Sequence, residues 1–237
     1  MIIYFRACEK QGTISYVGRH GGVDKTTILK KCWKQLVSQL TPQDKLVVIE
    51  DALSQETLNW LYDNSNGLSL DVVSVPEHTW EYHEHTVTMV KHLLEYCLIY
   101  PEEVHYIVED DYLHVDNAIN TCKTLYAANP DYNGFIVTYD YPDRYVDIQP
   151  SEIFLGPDRH WRTITSATMT LMAKGAVWTA IGQHIKAVAP TSNDTIFEQI
   201  FKQVPCLAPL PGLSCHLTDR HYTPYYDWNK MFDEVQL

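Results

Sequence analysis

No apolar run in the chain approaches the roughly 20 residues that a bilayer-spanning helix needs, and there is no Cys-x-x-Cys pair, internal repeat or low-complexity tract. The six cysteines, Cys8, Cys32, Cys97, Cys122, Cys206 and Cys215, lie far apart except for the last two, a pattern expected of reduced thiols in a cytosolic protein. The first residues, Met-Ile-Ile-Tyr-Phe-Arg, carry no signal-peptide pattern, so a cytoplasmic location is expected, the host cytoplasm for a virally encoded chain. Basic residues are also short: 18 Lys and Arg against 30 Asp and Glu give a net charge of −12. That balance argues against broad attraction to nucleic acid or anionic lipid. An anionic substrate would need a local remedy, such as a metal ion.

What is present suits an α/β protein. With 45% hydrophobic residues in 237, the chain can bury a sizeable core, and a single domain is expected. Apolar runs of strand length at residues 2–5, 46–49, 70–75, 104–108 and 135–138 alternate with helix-period segments, which predicts a mainly parallel sheet flanked by helices. Asp24 is placed to cap a first helix with Ile28, Leu29, Cys32, Trp33, Leu36, Val37 and Leu40 inward. Ser54 is placed to cap a second, and a third is predicted over residues 84–100 with Val87, Val90, Leu94, Cys97 and Leu98 inward. His78, His83, His85 and His92 crowd that region and read as a solvated surface rather than a metal site. Residues 140–162 form a long connection of the kind used for binding loops or lids. A strand is expected over 163–172, helices from Gly175 and from about 192–194, and then a proline-rich tail. Its aromatic residues around Tyr225, Tyr226 and Trp228 could cover a site or meet a partner; the oligomeric state is open.

The informative feature is the run Val-His-Tyr-Ile-Val-Glu-Asp-Asp-Tyr-Leu at residues 104–113, a buried-strand pattern ending in Glu109, Asp110 and Asp111. Adjacent carboxylates repel and lose hydration when buried, so a cation is expected beside them. In an open α/β sheet, ligands gather beyond the carboxyl ends of parallel strands. Residues 6–9 and the pair Glu50 and Asp51 end strands there too, although that pair also suits the turn before a helix. Residues 18–26, Gly-Arg-His-Gly-Gly-Val-Asp-Lys-Thr, fail as a phosphate-binding P-loop because Asp24, not Gly, precedes Lys25.

Val108-Glu-Asp-Asp-Tyr112 resembles the Asp-x-Asp motif of GT-A glycosyltransferases, and residues 47–57 resemble their second strand and following turn. The chain is similar in element order to family 2-like inverting nucleotide-sugar transferases over nearly its whole length. The resemblance implies a single Rossmann-like domain, with a nucleotide-binding half over about 1–112 and an acceptor-binding half over about 113–237. It further implies nucleotide contacts from Arg6, Ala7, Asp51, Glu109 and Asp110, and a Mn²⁺ or Mg²⁺ ion held by Asp111 and His216. The ion would bridge the diphosphate of a nucleotide-sugar donor. Asp194 corresponds to the general base acting on an acceptor hydroxyl, though it also reads as an ordinary helix cap. Trp161 is a candidate to stack on a saccharide acceptor, with plain packing as the other reading. The competing classes are a Mg²⁺-dependent nucleotidyltransferase and a non-catalytic nucleotide- or sugar-binding protein.

Overall fold

The computed structural model describes residues 1–9, 20–76, 83–146, 149–191, 195–218 and 221–237. The first half alternates strand and helix: β1 (Ile2–Cys8), α1 (Lys25–Val37), β2 (Lys45–Asp51), α2 (Gln55–Asp63), β3 (Leu70–Ser74), α3 (Glu84–Ile99) and β4 (Val104–Glu109). Burial at nearly every position of β1, β2 and β4 is the signature of parallel strands covered on both faces. These strands pair in parallel in the order β3-β2-β1-β4. Connections that run to one side from β1 and to the other for β4 open a crevice at the carboxyl ends of those two strands.

The second half comprises β5 (Tyr112–His114), α4 (Ala118–Ala128), β6 (Phe135–Ile136), β7 (Ile153–Leu155), β8 (His160–Thr163), β9 (Leu171–Lys174), α5 (Gly175–Ala180), α6 (Gly182–Val188), α7 (Ile196–Ile200), β10 (Cys206–Leu210), β11 (Ser214–His216) and α8 (Trp228–Glu234). The main sheet continues from β4 as β9-β6-β10-β8-β7, with β9 and β8 running against the rest. A separate antiparallel pair, β5 with β11, sets His216 opposite Tyr112. A mixed α/β layer with a mainly parallel sheet is therefore present, as the alternation predicts.

Local chemistry explains the helix starts. Asp24 accepts the Thr27 amide at 2.9 Å and the Thr27 hydroxyl at 2.7 Å, and Ser54 accepts the Thr57 amide at 3.2 Å. Trp33 of α1 is fully buried edge-on to Phe5 at 5.1 Å, and its indole donates to the Asn64 carbonyl at 3.0 Å. Helix α3 turns differently from the expectation: Thr86, Met89, Val90, Leu93, Leu94 and Cys97 face the core, whereas Val87 and Leu98 are 40% and 72% exposed. A 3.6-residue period through the buried set leaves positions 87 and 98 on the solvated side. Leu40 lies beyond the end of α1, and the expected strand over 163–172 resolves into two short ones, β8 and β9. Residues 192–194, where another helix was expected to begin, lie outside the described residues, and α7 follows them.

Candidate functional site

The carboxyl ends of β1, β2 and β4 bound a cavity of about 180 Å³, room for part of a nucleotide rather than a whole nucleotide sugar. Ala7 and Cys8 line it from β1, Ile49 and Asp51 from β2, and Glu109 from β4, with Asp110 and Asp111 on its wall. Parallel register explains this convergence, since Arg6 is level with both Ile49 and Glu109. Immediately after Asp51, Ala52 has φ 55°, a left-handed backbone that a non-glycine residue adopts at a cost and that clusters at functional sites.

The three carboxylates of the acidic run are held in three different ways. Glu109 is engaged at both oxygens: Arg6 Nη1 donates to Oε1 at 3.0 Å and Thr170 Oγ1 donates to Oε2 at 3.1 Å. Arg6 also donates from Nη2 to Thr86 at 3.4 Å, so the pair braces β1 and β4 against α3. Asp110 is 4% exposed, accepts the Cys8 amide at 2.8 Å and takes an ammonium hydrogen bond from Lys25. Lys25 Nζ also lies 3.7 Å from Asp111 Oδ2. Asp111 faces His216, whose Nε2 is 3.3 Å from the same Oδ2. Burial raises the Asp111 carboxyl, but the His216 and Lys25 charges outweigh it and hold the group below the usual carboxylate range. Burial lowers His216, yet the Asp111 charge prevails and the imidazole is raised.

His216 reaches this place through β-pairing. Its ring stacks on Tyr112 at 4.9 Å and on His221 at 5.3 Å, both nearly parallel, which fixes the imidazole plane. Asp111 and His216 are the side chains here that would hold a metal ion, one through an oxygen and one through a nitrogen. Among the described residues no group of three His, Cys, Asp or Glu side chains converges to hold a metal.

Two residues passed over in the sequence belong here. Lys25, the first residue of α1, supplies the cation beside the carboxylates; the failed P-loop spacing around it was the only local signal. His85 lines the cavity with Nδ1 3.8 Å from Asp51 Oδ2, so it is not the merely solvated residue expected. Glu9 organises the surroundings, accepting from Ser54, Thr57 and Thr26 and so linking the end of β1 to both following helices.

Trp161 does not suit a sugar-stacking role. It is fully buried in β8, because the two-residue alternation that turns Arg162 to the other face turns Trp161 into the core. Asp194 lies outside the described residues. Thiol chemistry has no support at the buried cysteines: burial pushes Cys97, Cys122 and Cys215 up to about 12.

No protein-family model and no curated protein matches the chain. Among solved structures it is similar to a crystal structure of S. aureus TarS 1-349, at 11% identity and a TM-score of 0.45, over 74% of this chain and 47% of that one. A crystal structure of S. aureus TarS matches at 11% identity and a TM-score of 0.49, over 83% of this chain and 32% of that one. The galactosyltransferase LgtC in complex with donor and acceptor sugar analogues matches at 13% identity and a TM-score of 0.46, over 86% and 71%. The chain thus spans less than half the length of the TarS chains it resembles.

Proposed function

We propose that the chain is a metal-dependent glycosyltransferase that moves a sugar from a nucleotide-diphosphate donor to an acceptor hydroxyl with inversion. The observation that carries this reading is the Asp111–His216 pair, 3.3 Å apart beside a cavity at the sheet's topological switch point. Asp111 suits Mg²⁺ or Mn²⁺, hard ions that take oxygen ligands, and His216 would add a neutral imidazole nitrogen, leaving the remaining positions to water and diphosphate oxygens. Once bound, such an ion supplies Lewis-acid stabilisation of the charge that grows on a departing diphosphate.

The chain's own residues do the rest. Asp51 and His85, side by side on the cavity wall, frame the nucleoside. The Arg6–Glu109–Thr170 brace keeps the strand ends from relaxing when charge enters, so Glu109 acts as an anchor rather than an ion ligand. Lys25 adds a positive charge within reach of the diphosphate. Asp194 is assigned from the sequence as the base that takes the proton of the attacking hydroxyl.

The test is release of nucleoside diphosphate from a panel of nucleotide sugars with Mn²⁺, in the presence of hydroxyl acceptors. Asp111→Asn is expected to lower release by about 10²-fold or more. Asp194→Asn is expected to lower turnover by roughly 10²- to 10⁴-fold while nucleotide affinity holds. Release from no donor, or full activity in Asp111→Asn, removes the proposal; full activity in Asp194→Asn removes the base assignment alone.

A further inference from the structure

A second cavity, about 520 Å³, lies between β7 and the segment before it, β8, the end of β10 and the segment after β11, within the size range of small-molecule sites. Its walls are unlike those of the carboxylate site. Tyr145 and Tyr225 present aromatic rings 6.0 Å apart at 66°, Gln149 and Ser151 add neutral polar groups, and among the described residues Arg162 is the ionised one lining it. Arg162 Nη2 donates to Asp140 at 2.5 Å and its guanidinium lies 5.3 Å from the Tyr145 ring. Its buried Nε has no hydrogen-bond partner among the described residues.

Charge is the second observation. Asp140 is fully buried and receives Arg162, Arg144 at 3.5 Å and the Tyr145 hydroxyl. Among the described residues, two guanidiniums meet one carboxylate beside the cavity, in a chain whose net charge is −12. Tyr225 is the third. It is 74% exposed, lines the cavity, and its backbone sits at φ 82°, a conformation disfavoured for an aromatic residue. An exposed ring, a second ring and a guanidinium on the cavity wall form a surface that an acidic sugar fits, ring on the tyrosine faces and anion on Arg162.

We infer that the Tyr145–Tyr225–Arg162 cavity binds a saccharide bearing an anionic group, a uronic acid or a sugar phosphate. That this saccharide is the acceptor rests on the transferase reading; that it binds does not. The two regions connect through rings: His216 stacks on His221, His221 lies 5.1 Å from Tyr141, and Tyr141 lies 5.8 Å from the Arg144 guanidinium. The residues replace Trp161 as the aromatic element of the acceptor half.

Ligand-observed NMR on the full chain tests this with methyl glucuronide, glucose 6-phosphate and the neutral methyl glucoside as probes. At least one acidic sugar is expected to bind about tenfold tighter than the glucoside. Tyr225→Ala, an exposed change that leaves the core intact, is expected to weaken that binding about fivefold or more, and Arg162→Gln to abolish the acidic preference. Whichever acidic probe binds names the anion. Equal binding of all three sugars, no binding of either acidic sugar, or binding unmoved by Tyr225→Ala overturns the inference even if Arg162→Gln does not fold. Adding a nucleoside diphosphate with Mn²⁺ should leave the saccharide affinity measurable; if the nucleotide binds nowhere while the acidic sugar does, the transferase reading fails and this site stands.

Discussion

Lys25 is the residue on which the electrostatics of the acidic strand end turn. Its ammonium lies against Asp110 and within 3.7 Å of Asp111, so it already offsets the repulsion that the carboxylate run predicts. Removing one partner of a buried ion pair leaves an uncompensated charge, which costs about 3–5 kcal/mol. Lys25→Met is therefore expected to unfold at lower temperature than the parent, and Mn²⁺ is expected to recover more of the loss than it adds to the parent. A variant as stable as the parent without metal would mean that Lys25 does not neutralise the pair. The sequence showed the carboxylates but not this cation, because Lys25 and Asp110 meet only when α1 packs across the strand ends. The reading of Trp161 failed for a related reason: periodicity marks a residue as aromatic and near charges, but the face it takes depends on strand register.

At the scale of elements, one buried network joins the two halves. Tyr106 of β4 shares its hydroxyl with His114 of β5 at 2.8 Å and with Thr138 at 3.1 Å, and Thr138 meets Ser214 of β11 at 2.7 Å. His114 is fully buried, and burial lowers it to about 4 from an ordinary 6.5. The folded chain keeps the imidazole neutral where the unfolded chain takes up a proton. Stability from this group is complete above pH 6.5 and falls as pH drops toward 4, by roughly 3 kcal/mol at 1.36 kcal/mol per unit. Urea unfolding of the parent between pH 7 and 5 should show this decline, and His114→Asn should flatten it; equal slopes would show that the decline does not come from His114. The parallel strands and their capped helices were legible because burial on both faces and Asp24 or Ser54 caps are local signals. Helices α4 and α8 and the pairing of β5 with β11 were not, since short amphipathic segments acquire their partners from tertiary contacts. His216 could be suspected as a ligand only through a family resemblance, because β-pairing between segments about 100 residues apart brings it to Asp111.

For the whole molecule, the strand order sets where function can sit. The crevice between β1 and β4 gathers carboxylates in a protein of net charge −12, while Arg144 and Arg162 meet on Asp140 beside β8. A negatively charged donor entering the first region needs a cation there, so nucleotide and metal should bind as a linked pair. Thermal unfolding of the parent and of His216→Ala, each with a panel of nucleoside diphosphates with and without Mn²⁺, tests that linkage most directly. At about 100 times Kd, binding adds roughly 2.7 kcal/mol, a rise of about 5–11 °C for a chain of this size. The rise should require nucleotide and Mn²⁺ together in the parent and should be largely lost in His216→Ala. Stabilisation by nucleotide without metal, an equal rise in His216→Ala, or no rise across the panel would contradict a metal-dependent nucleotide-sugar site at Asp111 and His216.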